Sequence, residues 1–102
     1  MFVTRTTGYP ALGKQQEFRA IFEEWIKGQQ AQGVRISLAV QLFSEGVAYV
    51  SNARFDTLAD YEKRRAKLLT DDKYLAVVAK LGAISRSPAK NELFEVLVPI
   101  PG

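Results

Sequence analysis

The sequence contains no cysteine and no histidine. Their absence excludes disulfides, catalytic thiols and imidazole acid–base chemistry together. It also excludes a haem held by either residue and removes the two side chains on which zinc sites mainly rely. We therefore expect neither a metal ion nor a cofactor.

The chain also lacks a long hydrophobic run and a strong charge of either sign. No apolar stretch approaches the ~20 residues of a membrane span, and the N-terminal segment turns polar at Thr4, which argues against a secretory signal. Fourteen basic and eleven acidic residues give a net charge of +3, which is too weak to indicate nucleic-acid binding. We expect a cytoplasmic protein with no membrane and no nucleic-acid partner.

The size and composition indicate one small domain over residues 1–102. Of these residues, 47% are hydrophobic and 25% are charged, as in ordinary globular proteins. A core of this size is adequate but small, so dimerisation would be a natural way to bury further apolar surface.

Hydrophobic periodicity predicts six elements. In the first helix, Phe18, Ile21, Phe22 and Trp25 recur at the i, i+3, i+4, i+7 spacing of one buried face. The predicted elements are a strand over 1–7, a helix over 14–32, strands over 34–43 and 47–55, a second helix from 57 to about 81, and a strand over 93–100.

Two N-cap signals divide the second helix. Thr57, with Asp60 three residues later, is typical of a helix start, and Thr70-Asp71 begins a second such signal. The pattern predicts a break at Thr70 and an end at Leu81, because Gly82 follows.

Glu45-Gly46 predicts the turn between the second and third strands. A two-residue loop there would pair Leu42 with Tyr49 and place an apolar set on one face. Asn52 and Arg54 would share the opposite, small and polar face.

The order strand, helix, strand, strand, helix, strand predicts an α+β fold of the ferredoxin-like βαββαβ type. In this fold an antiparallel sheet carries two helices on one face.

The second helix also carries a family resemblance. Phe-Asp-Thr-Leu-Ala-Asp-Tyr-Glu from Phe55, then Arg65, then Leu-Thr-Asp-Asp-Lys-Tyr from Leu69, resembles the NIPSNAP family of the dimeric α/β-barrel superfamily, which includes antibiotic-biosynthesis-type monooxygenases. The resemblance implies a homodimer in which two sheets pack face to face as a dimeric α/β barrel. Histidine-dependent activities of the superfamily do not apply to this chain.

Arg65 is the residue that most specifically suggests a ligand-binding site. On a helical wheel it lies inside the apolar face, where a guanidinium needs a partner; the residues around it are Leu58, Tyr61, Leu68 and Leu69. That partner is either an anionic ligand or an internal acid such as Glu62; alternatively, the side chain reaches solvent.

We predict a substrate-binding cavity lined by Trp25, Tyr49, Tyr61 and Arg65, suited to a small aromatic or anionic organic molecule. The alternative is that Trp25 is an ordinary core residue that contacts no ligand. Asn52 and Arg54 either make dimer contacts or, as in the superfamily's cofactor-free oxygenases, orient a substrate.

The functional hypotheses are a homodimeric binding protein of NIPSNAP type and, as an alternative, a cofactor-independent monooxygenase or isomerase. A third hypothesis is an RNA-binding module, because Gly46, Ala48, Tyr49 and Val50 match the third-strand pattern of an RNA-recognition motif. Glu45 and Asn52 disagree with that pattern, the first because an acidic residue repels phosphate.

Overall fold

The computed structural model, which describes residues 1–42 and 46–101, has the predicted ferredoxin-like order, with the second helix in two pieces. Its four strands form one antiparallel sheet in the order β2-β3-β1-β4. The elements are β1 (Phe2–Gly8), α1 (Gln15–Ala31), β2 (Ile36–Gln41), β3 (Ala48–Phe55), α2 (Leu58–Leu68), α3 (Asp72–Ala83) and β4 (Lys90–Glu95).

The pairing of β2 with β3 differs from the prediction by two residues. Tyr49 pairs with Val40, so the predicted pairing with Leu42 is wrong. β2 ends at Gln41 and β3 begins at Ala48, so the strands do not continue to a two-residue turn as predicted. Because side chains alternate with a period of two, this shift leaves each residue on its predicted face. Glu45 of the predicted turn lies outside the described residues, and Gly46 has a φ of 93°, which favours glycine.

The core lies between α1 and one end of the sheet. Phe18, which is 1% exposed, stacks on Tyr49 of β3 with ring centroids 5.9 Å apart, and Phe22 and Ile26 continue the buried stripe. The helix approaches β1 so closely that a Cβ added at Gly8 would lie 2.6 Å from Phe18 Cζ. A glycine at this position therefore lets the helix and the strand pack together.

The break between α2 and α3 is confirmed. Thr57 caps α2 by accepting from the Asp60 amide, and Asp71 caps α3 by accepting from the amides of Lys73 and Tyr74. The predicted end at Leu81 is wrong, because α3 continues through Gly82 to Ala83. The chain leaves the helix only where Ile84 C=O accepts from the Ala11 amide and Ser85 pairs with Pro10.

The helices of residues 1–42 and 46–101 are too short or too polar for any of them to span a lipid bilayer.

The last strand begins and ends earlier than predicted. β4 pairs with β1 from Lys90 to Glu95. Its partner strand begins at the chain's first residues, and the Val96 amide donates to Met1 C=O. Leu97 and Val98, which the prediction included in the strand, lie beyond its end and are exposed.

Candidate functional site

A cavity of about 880 Å³ lies between the sheet and the α2–α3 pair. α3 runs antiparallel to α1: Tyr74, near its start, contacts Trp25, and Ser85, just past its end, pairs with Pro10. α1 buries several large side chains, but neither α2 nor α3 has a fully buried residue. The two short helices therefore cover the sheet without filling the space against it.

The floor of the cavity consists of small side chains on the sheet. Thr4 and Thr6 of β1 lie beside Ser51 and Ala53 of β3 and line the space. Thr6 Oγ1 donates to Asn91 Oδ1 at 3.0 Å. These residues leave room above the sheet and provide a row of hydroxyl groups that can donate or accept hydrogen bonds.

Aromatic side chains form one end of the wall. Trp25 and Tyr74 lie with ring centroids 5.6 Å apart, and Tyr61 packs edge-on against Phe55 at 5.7 Å. All four line the cavity, together with aliphatic residues of α2 and α3. Such a wall suits a flat or apolar molecule.

Arg64 is the polar group that stands out at this end. It is half-buried, lines the cavity and donates from Nη2 to Gln29 Oε1, and Gln29 itself is only 4% exposed. Burial lowers the pKa of the Arg64 guanidinium, while the charges of Asp71 and Tyr74 act in the opposite direction. Sequence reasoning missed both Arg64 and Gln29. The available signal was helical periodicity. Gln29 lies on the same face of α1 as Phe18, Phe22 and Ile26, one turn after Ile26.

Arg65 does not lie where the wheel placed it. Its side chain is exposed, and the inner face of α2 is formed instead by Tyr61, Arg64 and Leu68, at the i, i+3, i+7 spacing. The wheel was centred between Leu58 and Leu69, but both are exposed, so the helix is turned by roughly 60° from the predicted orientation, a little more than half of one residue step. Arg65 still contributes to the cavity rim.

No ion pair joins Arg65 to an acid within residues 1–42 and 46–101.

The other predicted site residues divide between the cavity and the core. Trp25 and Tyr61 line the cavity with Arg65, whereas Tyr49 is 7% exposed and packs against Phe18, away from the cavity wall. The predicted set is therefore three residues of one cavity and one residue of the core. Ligand binding by any of them stays a prediction.

The opposite face of the sheet is open. It carries Asn52 and Arg54, as predicted, and Arg5 lies over the Phe94 ring with its guanidinium carbon 5.0 Å from the ring centroid. Tyr49 lies on the helix side, so the aromatic residue of the RNA-recognition pattern is buried and unavailable for stacking on a base. In the part of the chain that the structure describes, no cluster of three potential metal ligands occurs.

Several solved structures share this fold. An uncharacterized NIPSNAP domain protein from Burkholderia xenovorans superposes with a TM-score of 0.81 at 18% identity, with 100% of each chain covered. A NIPSNAP family protein from Agrobacterium tumefaciens gives 0.69 at 23% identity, over 92% of this chain and 90% of that one. A putative antibiotic biosynthesis monooxygenase from Deinococcus radiodurans gives 0.77 at 13% identity, again with 100% of both chains covered.

No protein-family model matches the sequence, and no curated protein matches it significantly. At these identities the structural likeness establishes the fold. The chain has the fold that NIPSNAP domain proteins and antibiotic-biosynthesis-type monooxygenases share, as the resemblance in its second helix predicted.

Proposed function

We propose that the chain is a NIPSNAP-like homodimeric protein that binds a small aromatic or anionic organic molecule between its helices and its sheet. The observation that carries this proposal is the cavity above the sheet, with an aromatic wall, a hydroxyl-bearing floor and a half-buried arginine. Its location in the cytoplasm stays a prediction of the sequence.

The volume of the cavity supports a ligand-binding role. At about 880 Å³ it lies in the upper part of the range of about 300–1,000 Å³ that is usual for small-molecule sites. The core around Phe18 and Tyr49 is closely packed, and the empty space lies beside it, between the sheet, α2, α3 and the adjoining side of α1. A purely structural domain would gain stability by filling such a space, because packed atoms gain dispersion contacts.

The exposed surface supports the homodimer. The chain has 7256 Å² of accessible surface, whereas a folded monomer of 11.4 kDa is expected to have about 5,800 Å². The excess is larger than the ~800 Å² that each partner buries in a standard interface. The exposed tail residues Leu97, Val98 and Ile100 contribute to it. A second copy packed against the open face of the sheet would give the predicted barrel.

The alternative is a cofactor-independent monooxygenase or isomerase. Structures described as antibiotic biosynthesis monooxygenases share the fold, which favours this alternative over other enzyme classes. Such chemistry requires donors aimed at a substrate oxyanion. The cavity offers a guanidinium at Arg64 and the hydroxyl of Thr4 for that purpose.

The test is native mass spectrometry of the purified protein, combined with sedimentation velocity at micromolar concentration. We expect a dimer that retains a small molecule from the expression host. Val77→Trp, which fills the cavity from α3, should abolish the retained mass. The control is Ala79→Trp, which adds the same side chain at an exposed position of the same helix.

A monomer in sedimentation would contradict the barrel. Equal ligand retention by both tryptophan variants would contradict the cavity as the binding site. Turnover of the identified ligand in the presence of dioxygen would support the enzyme alternative, and its absence would favour the binding protein.

A further inference from the structure

The Arg64 guanidinium carries a charge that the surrounding protein does not neutralise. Its Nη2 donates to Gln29 Oε1, which belongs to a neutral amide. None of the ion pairs found within residues 1–42 and 46–101 includes Arg64. Burying part of a cation without a counter-ion costs free energy. An arginine at this position is unexpected, because α2 has many exposed positions at which the guanidinium would be fully hydrated.

The nearby acid is already engaged elsewhere. Asp71 contributes a favourable charge interaction to Arg64. Its Oδ1, however, accepts from the amides of Lys73 and Tyr74, at 2.9 and 3.2 Å, and so caps α3. Asp71 is therefore fixed at the helix start by two backbone donors, and it acts on Arg64 from beyond ion-pair distance.

Gln29 holds the guanidinium from the side of α1. The Gln29 side chain is almost fully buried, and it occupies one of the two Nη groups of Arg64. An arginine has five N–H donors in a planar fork, so most of them stay available after this bond. The fork is thereby oriented in advance, which reduces the entropy that a bound anion must offset.

We propose that Arg64, oriented by Gln29, binds the carboxylate of an organic acid whose apolar or aromatic body lies in the cavity. A carboxylate matches the planar fork with two parallel hydrogen bonds. The ring pair Trp25 and Tyr74 lies at the same end of the cavity and would contact the body of the ligand. This inference rests on the proposed function and names its ligand class.

The polar residues on the cavity floor indicate a second polar group on the ligand. The cavity extends well beyond the arginine end, since its lining continues along α3 to Leu81 and past the helix to Ser85. Thr6 and Asn91, joined by their hydrogen bond, lie on β1 and β4 further along the floor. An acid with a hydroxyl or carbonyl group at a distance from its carboxylate would use both regions.

The experiment compares 2-naphthylacetate with its neutral isostere 2-naphthylacetamide by isothermal titration calorimetry on the dimeric protein. We expect the carboxylate to bind at least about tenfold more tightly, because hydrogen bonds to charged groups exceed neutral ones. Arg64→Met should remove that preference and leave amide binding unchanged. Arg64→Lys, which keeps the charge but loses the fork, should retain only part of it.

The matched control is Lys63→Met, which removes the same charge from the preceding residue of α2, at an exposed position outside the cavity lining. We expect it to change carboxylate affinity by less than about threefold, since an exposed charge is screened by solvent. The Nε–H resonance of Arg64 should also shift on addition of the carboxylate and not on addition of the amide. This signal reports contact at the guanidinium and would not respond to a merely structural role.

Three results would overturn the inference: equal binding of acid and amide, no effect of Arg64→Met, or a larger effect of Lys63→Met. The first two leave the cavity proposal intact if both probes still bind and Val77→Trp removes them. Failure of acid and amide alike to bind the wild type would count against the proposed function as well. If Arg64→Met fails to fold, Gln29→Met and the lysine variant provide the same comparison.

Discussion

The two halves of the helix layer cover the same face of one sheet and pack against it differently. On the α1 half, Phe18 is almost completely buried on Tyr49, and Gly8 allows the helix to approach β1 as closely as a glycine permits. On the α2–α3 half, a cavity of about 880 Å³ separates the helices from small polar residues. One half holds the fold together, and the other half leaves space for a ligand.

The difference originates in the side chains of the sheet as much as in those of the helices. Tyr49 lies opposite α1, whereas Thr4, Thr6 and Ser51 lie below the cavity. Small hydroxylated residues at these positions leave the space open and line it with hydrogen-bonding groups. Burial of apolar area stabilises a fold by about 25 cal/mol per Å², so the open half forgoes stability that the closed half gains.

The largest expected effect is a contrast in stability between the two halves. Ile26→Ala, at a residue that is 3% exposed, should lower the free energy of unfolding by about 2–5 kcal/mol. Leu75→Ala, at a residue of α3 that is 45% exposed, should cost about 1 kcal/mol or less. Urea denaturation of both variants measures the contrast. Equal losses would mean that the outer side of α3 is covered, for example by a second copy.

A smaller effect on stability is expected from adding a methyl group where β1 and α1 are in close contact. Gly8→Ala would place a methyl group against the Phe18 ring, which is buried and has little room to move. We expect a loss of about 1–3 kcal/mol from this overpacking. The control is Gly28→Ala in α1, which meets no neighbouring atom and should be neutral or stabilising. Thermal denaturation that ranks the two variants in the opposite order would refute the close approach.

The smallest effect concerns the cap of α3, which holds the cavity wall in place. Asp71→Asn should change the free energy of unfolding by no more than about 0.5 kcal/mol, since asparagine caps helices as well as aspartate does, whereas Asp71→Ala should cost about 1 kcal/mol. Asp72→Asn serves as the control for charge, because that neighbouring acid is exposed. If Asp71→Asn destabilises as much as Asp71→Ala, the charge near Arg64 matters more than the cap.

Much of the fold could be predicted from local patterns. Thr57 and Asp71 mark helix starts because their side chains satisfy amides that the helix leaves unpaired. The alternation along β2 and β3 assigned residues to faces correctly even though the register was two residues off. For the same reason the separation of Tyr49 from Asn52 was predicted correctly.

The candidate site was less predictable, and α2 shows why. A wheel gives the order of residues around a helix but not its rotation against the sheet. The prediction treated Leu58 and Leu69 as buried, which centred the inner face on Arg65. In the structure the inner face consists of Tyr61, Arg64 and Leu68. The rotation depends on what α1 and the sheet place opposite the helix, which no local pattern contains.

The sequence by itself determined the element order, the faces of the strands and the two helix starts, because hydrogen bonds and periodicity between near neighbours encode them. The register between β1 and β4, the burial of Gln29 against Arg64 and the open cavity depend on tertiary packing. These features arise between segments far apart in the chain, so they depend on how much space the packed elements leave.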